Sequence, residues 1–393
     1  MDERTRLTSA TLGRPKSRRS VNPVVERGST VLMERADRLY APDAGVTYGT
    51  EGLSTQQALR AAIADLEHAH TSFLVPSGLA GITVALGAVL KAGDDVLVTD
   101  AIYNPTRRFL ARQMARFGVT ARYFRPDASV DEIMAMASDR TRLIVLETPG
   151  SLTFEMLDIP AIAAAAKARG ILTFIDSTWA AGVLFKPLDH GVDISMQALT
   201  KYVSGHSDVL MGSISVKDPA LARTIADAIQ DWGWCTSADE AWLALRGLRS
   251  MHVRLERSGA SGLKVANWLA TRDEVAEVIH PARFDHPQHD IYQRDFTGCA
   301  GLFTVVMQGG DGAACEAMLD AMRLFGIGYS WGGYESLAIW EGPQRDGRQF
   351  RTDYAGPLVR LYVGLENPDD LIFDLTAGLE AFVKVRDRVS ADV

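Results

Sequence analysis

The chain has 393 residues, 47% of them hydrophobic, and its 41 basic and 49 acidic side chains give a formal charge of −8. That length suits two or three domains with a large core, and the acidic balance argues against non-specific nucleic-acid binding, which needs dense Lys and Arg to displace counterions. The charged first twenty residues lack the apolar stretch of a signal peptide, no apolar run is long enough to span a bilayer, and the scattered Cys235, Cys299 and Cys315 form no paired motif, so we expect a cytoplasmic protein with no membrane partner and no zinc site.

Residues 1–55 show no sustained periodicity and read as an N-terminal arm. Its basic cluster, Arg14 to Arg19, reads as a solvated, loosely held segment. From Thr55, Ala58, Leu59, Ala62, Ile63 and Leu66 recur at three- and four-residue spacing and predict a helix with one apolar face. A short strand at 73–75 is followed by Pro76-Ser77-Gly78 and an apolar stretch over 79–90 that reads as a buried helix. Strand-like runs follow at 95–99, 121–124, 143–146 and 171–175. Between the last two, residues 160–169 predict a helix, with Pro at its start and Gly170 just past its end. Strands apolar on both faces and alternating with helices mean a mostly parallel sheet covered by helices. After a charged helix at 251–270, strand-like pieces at 302–306 and 359–363 predict a smaller α+β domain. The expected division is an arm over 1–55, a main α/β domain over 56–250 and a C-terminal domain over 251–393.

Ligands of parallel sheets sit beyond the strand C-termini, so polar residues just after a strand are the candidates. Asp176 ends the run 171–175, where a carboxylate can face a pocket or cap the next helix. Lys201, in Thr200-Lys201-Tyr202, stands between an apolar stretch and a turn-rich one; it can reach for water or serve as a Schiff-base amine of lowered pKa. Gly78 and Leu79 open the buried helix, whose free N–H groups suit a phosphate or simply mark tight packing. Tyr103 follows the strand at 95–99 and can stack on a flat ring or fill a core. Together they supply what a pyridoxal-phosphate pocket needs: an amine, an acid for the pyridine nitrogen, a phosphate cradle and a stacking ring. Gly328-Tyr329-Ser330-Trp331-Gly332 also fits G-x-S-x-G, but the last histidine, His289, precedes Ser330 and the hydrolase order Ser, acid, His fails. His68, His70, His286 and His289 lack further ligands at metal spacing and read as surface residues.

The stretch Asp176-Ser177-Thr178-Trp179, Pro187-Leu188, Gly191-Val192-Asp193, Thr200-Lys201-Tyr202 and Gly205-His206-Ser207-Asp208 resembles the signature of the cystathionine γ-synthase-like pyridoxal-phosphate enzymes. The resemblance runs from about Val21 to Leu365. Ser330-Trp331-Gly332-Gly333 and Glu147-Thr148-Pro149-Gly150 are most similar to the β-lyase form of that family. The resemblance implies the fold-type I transferase-like architecture and pyridoxal 5'-phosphate as cofactor. Lys201 would carry the cofactor, Asp176 pair with its ring nitrogen and Tyr103 stack on the ring. Gly78, Leu79 and Thr200 would bind the phosphate, together with Tyr48 from a neighbouring subunit. Arg360 would hold the substrate carboxylate, and Ser330 and Trp331 line the substrate side. It also implies a homotetramer of dimers sharing active sites. The implied reaction is β-elimination of a sulfur amino acid, cystathionine, to homocysteine, pyruvate and ammonia, with Lys201 and Tyr103 handling protons; γ-chemistry on the same lysine is the alternative. The family pattern usually has Arg where Thr50 stands and Ser where Ala198 stands, so the phosphate cup here lacks one charge and one hydroxyl.

Overall fold

The apolar runs beyond residue 70 assemble into a seven-stranded sheet. Its strands are β1 (Thr71–Val75), β2 (Asp95–Thr99), β3 (Thr120–Phe124), β4 (Thr141–Glu147), β5 (Leu172–Asp176), β6 (Ile194–Gln197) and β7 (Gly212–Val216). They lie in the order β1-β7-β6-β5-β4-β2-β3. From β3 to β6 all neighbours are parallel, while β7 runs antiparallel to both β6 and β1. The computed structural model describes residues 2–10, 20–41, 43–342 and 347–391; the basic cluster at 14–19 lies outside them.

Alternation explains why these strands read as continuous apolar runs. Val96 and Val98 of β2, Leu143 and Val145 of β4, Phe174 of β5 and Met196 of β6 enter one core, with the helices Gly78–Val89 and Pro219–Asp231. Leu97, Ile144, Leu146 and Ile175 enter the opposite core, with the helices Ser54–Leu66, Ile159–Ala168 and Ala238–Leu248. Both faces are therefore covered, as a parallel sheet requires. The same alternation puts Glu147 in phase with Val145, and Asp176 in phase with Phe174, on one face at the strand C-termini.

A second sheet contains β8 (Val275–Ile279), β9 (Leu302–Met307), β10 (Gly326–Ile327), β11 (Leu337–Trp340) and β12 (Leu358–Tyr362), in the order β10-β11-β12-β9-β8. Its core is closed by the helices Met251–Leu269, Gly312–Ala321 and Pro368–Ala391. The mostly parallel sheet and the smaller, mainly antiparallel one are the architecture expected of the sequence.

Two of the elements that periodicity does not predict show why. Residues Glu3–Thr8 form a helix too short to display a pattern; it is capped by Asp2 and anchored by the buried Leu7. β7 carries Ser213 and Ser215 and lacks an apolar run, yet all five of its residues are buried. The Ser215 hydroxyl lies 2.6 Å from that of Ser72 across the β1–β7 pair, so a cross-strand hydrogen bond replaces apolar packing there.

Candidate active site

A cavity of about 510 Å³ opens beyond the C-termini of β4, β5 and β6, between the two sheets. Its wall includes Gly78, Leu79, Tyr103, Asp176, Thr200, Lys201, Ser330, Trp331 and Arg360. Nine of the ten residues singled out from the sequence are thus brought together. The tenth, Tyr48, is 52% exposed and outside this wall.

Lys201 lies in the turn after β6 and points its amine into the cavity, where Nζ donates to Ser330 Oγ at 2.6 Å. The Trp331 ring centroid is 5.3 Å from Nζ. Burial, seconded by the charge of Arg360 and opposed by Asp176, pulls the amine down to about 8 from its usual value near 10.5. A minority of it, on the order of a tenth to a fifth, is therefore a neutral nucleophile near physiological pH, far more than for an ordinary lysine. The segment facing it is shaped for the contact. Ser330 has φ +79° and Gly332 φ +90°. A Cβ on Gly332 would stand 2.9 Å from the Lys201 carbonyl carbon, so only glycine permits this approach.

Asp176 closes β5. Its Oδ1 accepts from the Thr178 amide at 3.0 Å and the Thr178 hydroxyl at 2.5 Å, and that hydroxyl accepts from the Ala198 amide at 2.9 Å. The other oxygen, Oδ2, has no hydrogen bond among the described residues. Burial raises the Asp176 pKa, while Thr178 and the Lys201 charge oppose the rise. The acid therefore keeps an unspent acceptor for a cationic ring nitrogen.

The phosphate end follows from helix geometry. Ser77 caps the helix Gly78–Val89 by accepting from the Ala80 amide at 3.0 Å. The Gly78 and Leu79 amides have no hydrogen-bond partner among the described residues, yet both residues line the cavity. Unpaired N–H groups at the positive end of a helix dipole suit a phosphate. Thr200 is less available than the sequence suggests, because its hydroxyl bridges Met211, donating to the carbonyl at 3.2 Å and accepting from the amide at 3.0 Å. Ala198 packs its methyl group against Gly78; a Cβ on that glycine would lie 2.6 Å from it. Thr50 lies in the wall of a different cavity.

On the other wall, Arg360 projects from the centre of β12. It donates to the Ser330 carbonyl at 3.3 Å, and its Nε lies 3.9 Å from the buried Glu341. A buried guanidinium fixed by a carbonyl and a carboxylate is a preorganised fork for a ligand carboxylate. The Tyr103 hydroxyl is raised above its ordinary value, first by burial and then by Asp176 and Glu147, so it remains a protonated phenol at neutral pH.

Glu147, Thr178 and Arg108 also belong to this wall and were not among the candidates. Glu147 ends β4 directly beside Asp176 in register and accepts from the Tyr103 amide at 2.7 Å. Burial, with Asp176 adding to it, holds the Glu147 pKa well above the ordinary carboxylate value. The strand-end rule that selected Asp176 selects Glu147 equally. Thr178 is marked only by its place two residues after Asp176, and Arg108 by nothing in the sequence.

An amine of lowered pKa, an acid with a free oxygen, two unpaired helix-start amides and a tyrosine around one cavity fit the aldehyde, the ring and the phosphate of pyridoxal phosphate. The comparisons agree. The profile described as "Cys/Met metabolism PLP-dependent enzyme" matches residues 5–380. Cystathionine beta-lyase MetC of Escherichia coli K12 is 37% identical, over 96% of this chain and 98% of its own length. Cystathionine beta-lyase of Bordetella avium is 39% identical, over 92% of each chain. The crystal structure of metB from Corynebacterium glutamicum superposes with a TM-score of 0.90 at 26% identity, covering 97% of this chain and 98% of that one.

Proposed function

Because the chain belongs to the family of Cys/Met metabolism pyridoxal-phosphate-dependent enzymes, we propose that it is a carbon–sulfur lyase that splits cystathionine by β-elimination and, with one water taken up by the eliminated fragment, yields homocysteine, pyruvate and ammonia. The observation that carries this reading is the Lys201 amine set in one cavity with the half-free Asp176 carboxylate and the Arg360 fork.

Pyridoxal 5'-phosphate, when bound, supplies the electron sink that lets an α-proton depart and the bond from the β-carbon to sulfur break. Lys201 would hold the cofactor, Gly78 and Leu79 its phosphate, Tyr103 one face of its ring, and Asp176 its nitrogen in the protonated form. Arg360 orients the substrate by its α-carboxylate, which fixes the α C–H bond toward Lys201. Once displaced from the cofactor, the Lys201 amine takes the α-proton. Its value of about 8 lets the same group act as base when neutral and as acid when charged. Protonation of the departing thiolate falls to Lys201 or to the Tyr103 hydroxyl, which still carries its proton at this pH. Ser330 holds the amine in line, and Trp331 walls the substrate side against water.

The working unit is a homotetramer of dimers, with Tyr48 of each chain reaching the neighbour's phosphate. The half-exposed Tyr48 and the exposed Val21, Val24, Leu32 and Tyr40 of the same segment support this arrangement. The three free cysteines suit the reducing cytoplasm, and no helix among the described residues is long and apolar enough to cross a membrane.

The test is product analysis with purified holoenzyme and cystathionine. Stoichiometric pyruvate and homocysteine are expected; 2-oxobutyrate with cysteine would move the enzyme to γ-elimination.

A further inference from the structure

Among the described residues, three cationic side chains line the cavity: Lys201, Arg360 and Arg108. The first is spent on the cofactor. The second is buried and engaged with Glu341 and the Ser330 carbonyl. Arg108 differs from both. It sits on the helix Asn104–Arg112, is exposed at the mouth, and makes no hydrogen bond or ion pair among the described residues. Its neighbour in sequence shows the contrast. Arg107 is buried, pairs with Asp100 at 2.7 Å and lies 3.9 Å over the Tyr123 ring. Adjacent helix positions face different directions, so one arginine braces the fold while the other is left facing the cavity. Arg108, Arg360 and Tyr103 line the same cavity, and the charges of both guanidiniums act on the Tyr103 hydroxyl.

Cystathionine has an amino-acid head at each end of its thioether. Arg360 accounts for the carboxylate of the head that is broken down, and the second carboxylate must leave the cavity through the mouth. We propose that Arg108 holds the carboxylate at the far end of the thioether and so selects two-headed substrates over short S-alkylcysteines. This rests on the β-lyase reading above. A guanidinium without a protein partner gives up only water to make a bidentate contact, and such charge-assisted bonds are the stronger kind. Its exposure lets the far head bind and leave without desolvating a buried ion pair.

The experiment compares kcat/KM for cystathionine with kcat/KM for S-methylcysteine, which has no far head, in the wild type and in Arg108→Gln, Arg108→Glu and Arg108→Lys holoenzymes. The ratio is expected to fall about tenfold or more in Arg108→Gln, further in Arg108→Glu, and mainly through KM for cystathionine. Arg108→Lys should restore part of it, since the charge returns without the fork. An unchanged ratio in both Arg108→Gln and Arg108→Glu overturns the proposal. So does a parallel loss on both substrates with weakened cofactor binding by titration, which would give Arg108 to the cofactor's phosphate. If the wild type releases pyruvate from S-methylcysteine but none from cystathionine, β-elimination stands but the cystathionine reading falls first, and this inference with it.

Discussion

β6 has a buried acid on each side. On the cavity side, Met196 and Ala198 face the space closed by Asp176. On the other side, Ser195 and Gln197 turn to Glu67, at the end of the helix Ser54–Leu66. Glu67 is fully buried and burial lifts its pKa to about 7, so burial and a raised pKa do not distinguish the two acids. Their partners do. Glu67 accepts from the Ser195 hydroxyl at 2.9 Å and from the Gln197 amide, which engages its other oxygen, with Lys186 lending its charge. Asp176 concentrates its protein hydrogen bonds on one oxygen and leaves the other unspent toward a cavity. An acid satisfied by its own fold holds the fold; an acid left half-satisfied beside a cavity waits for a ligand.

The largest effect is expected at the amine. Lys201→Ala should lower pyruvate release from cystathionine by more than about 10³-fold, with the fold kept, as checked by far-UV circular dichroism. The wild-type apoprotein gives a second readout. Only the neutral amine captures the cofactor's aldehyde, so the capture rate should rise with pH and level off above about 8. Replacing Arg360 by Met should move that midpoint upward, because the cation that helps to depress the amine is gone.

Next come the acids, which sharpen the contrast within the site itself. Two adjacent buried carboxyls do not both ionise readily. Asp176 takes two hydrogen bonds from Thr178 and the favourable charge of Lys201, whereas Glu147 takes one amide bond and faces Asp176. Glu147 therefore holds its proton more firmly than Asp176, although the charge of Arg348 opposes this. Asp176→Asn should cost on the order of 10²-fold or more in kcat. Glu147→Gln, which keeps the shape and neutrality of the protonated acid, should stay within about tenfold of the wild type. Equal losses in steady-state assays of the two variants would erase the distinction.

How much of this was legible can be told residue by residue. β2, β4 and β5 announced themselves because both faces of each are packed, and Lys201 and Asp176 because polar groups at strand ends of a parallel sheet face its ligand site. β7 stayed hidden because serine pairing replaces apolar packing. Glu147 obeys the strand-end rule as well as Asp176 does, but it was read only as part of a resemblance. Thr200 shows the reverse: the motif marks it as a phosphate ligand, and only the fold reveals that Met211 holds its hydroxyl. Arg107 and Arg108 look alike in sequence, because burial is decided by helix phase against elements far along the chain. Glu67 gave no signal either, since its partners lie more than a hundred residues away.

Glu67 provides the smallest and most discriminating test, because it should change stability and leave catalysis alone. Its carboxyl is raised from about 4.5 to about 7 on folding. An acid raised in this way stabilises the fold fully below its unfolded value and loses that contribution as pH climbs through the folded one. The window is therefore about pH 4.5 to 7, and the amount is at most about 3 kcal/mol by the proton linkage of such a shift. Glu67→Gln has no proton to lose, so the stability difference between wild type and variant should move against the wild type across that window and stay flat above it. Thermal unfolding at pH 5.5 and 8.5 measures this, while kcat at pH 8 should match the wild type. A flat difference across the window would mean that Glu67 is ionised throughout, held so by Lys186. The two sides of β6 would then differ in the charge they bury as well as in the partners they leave free.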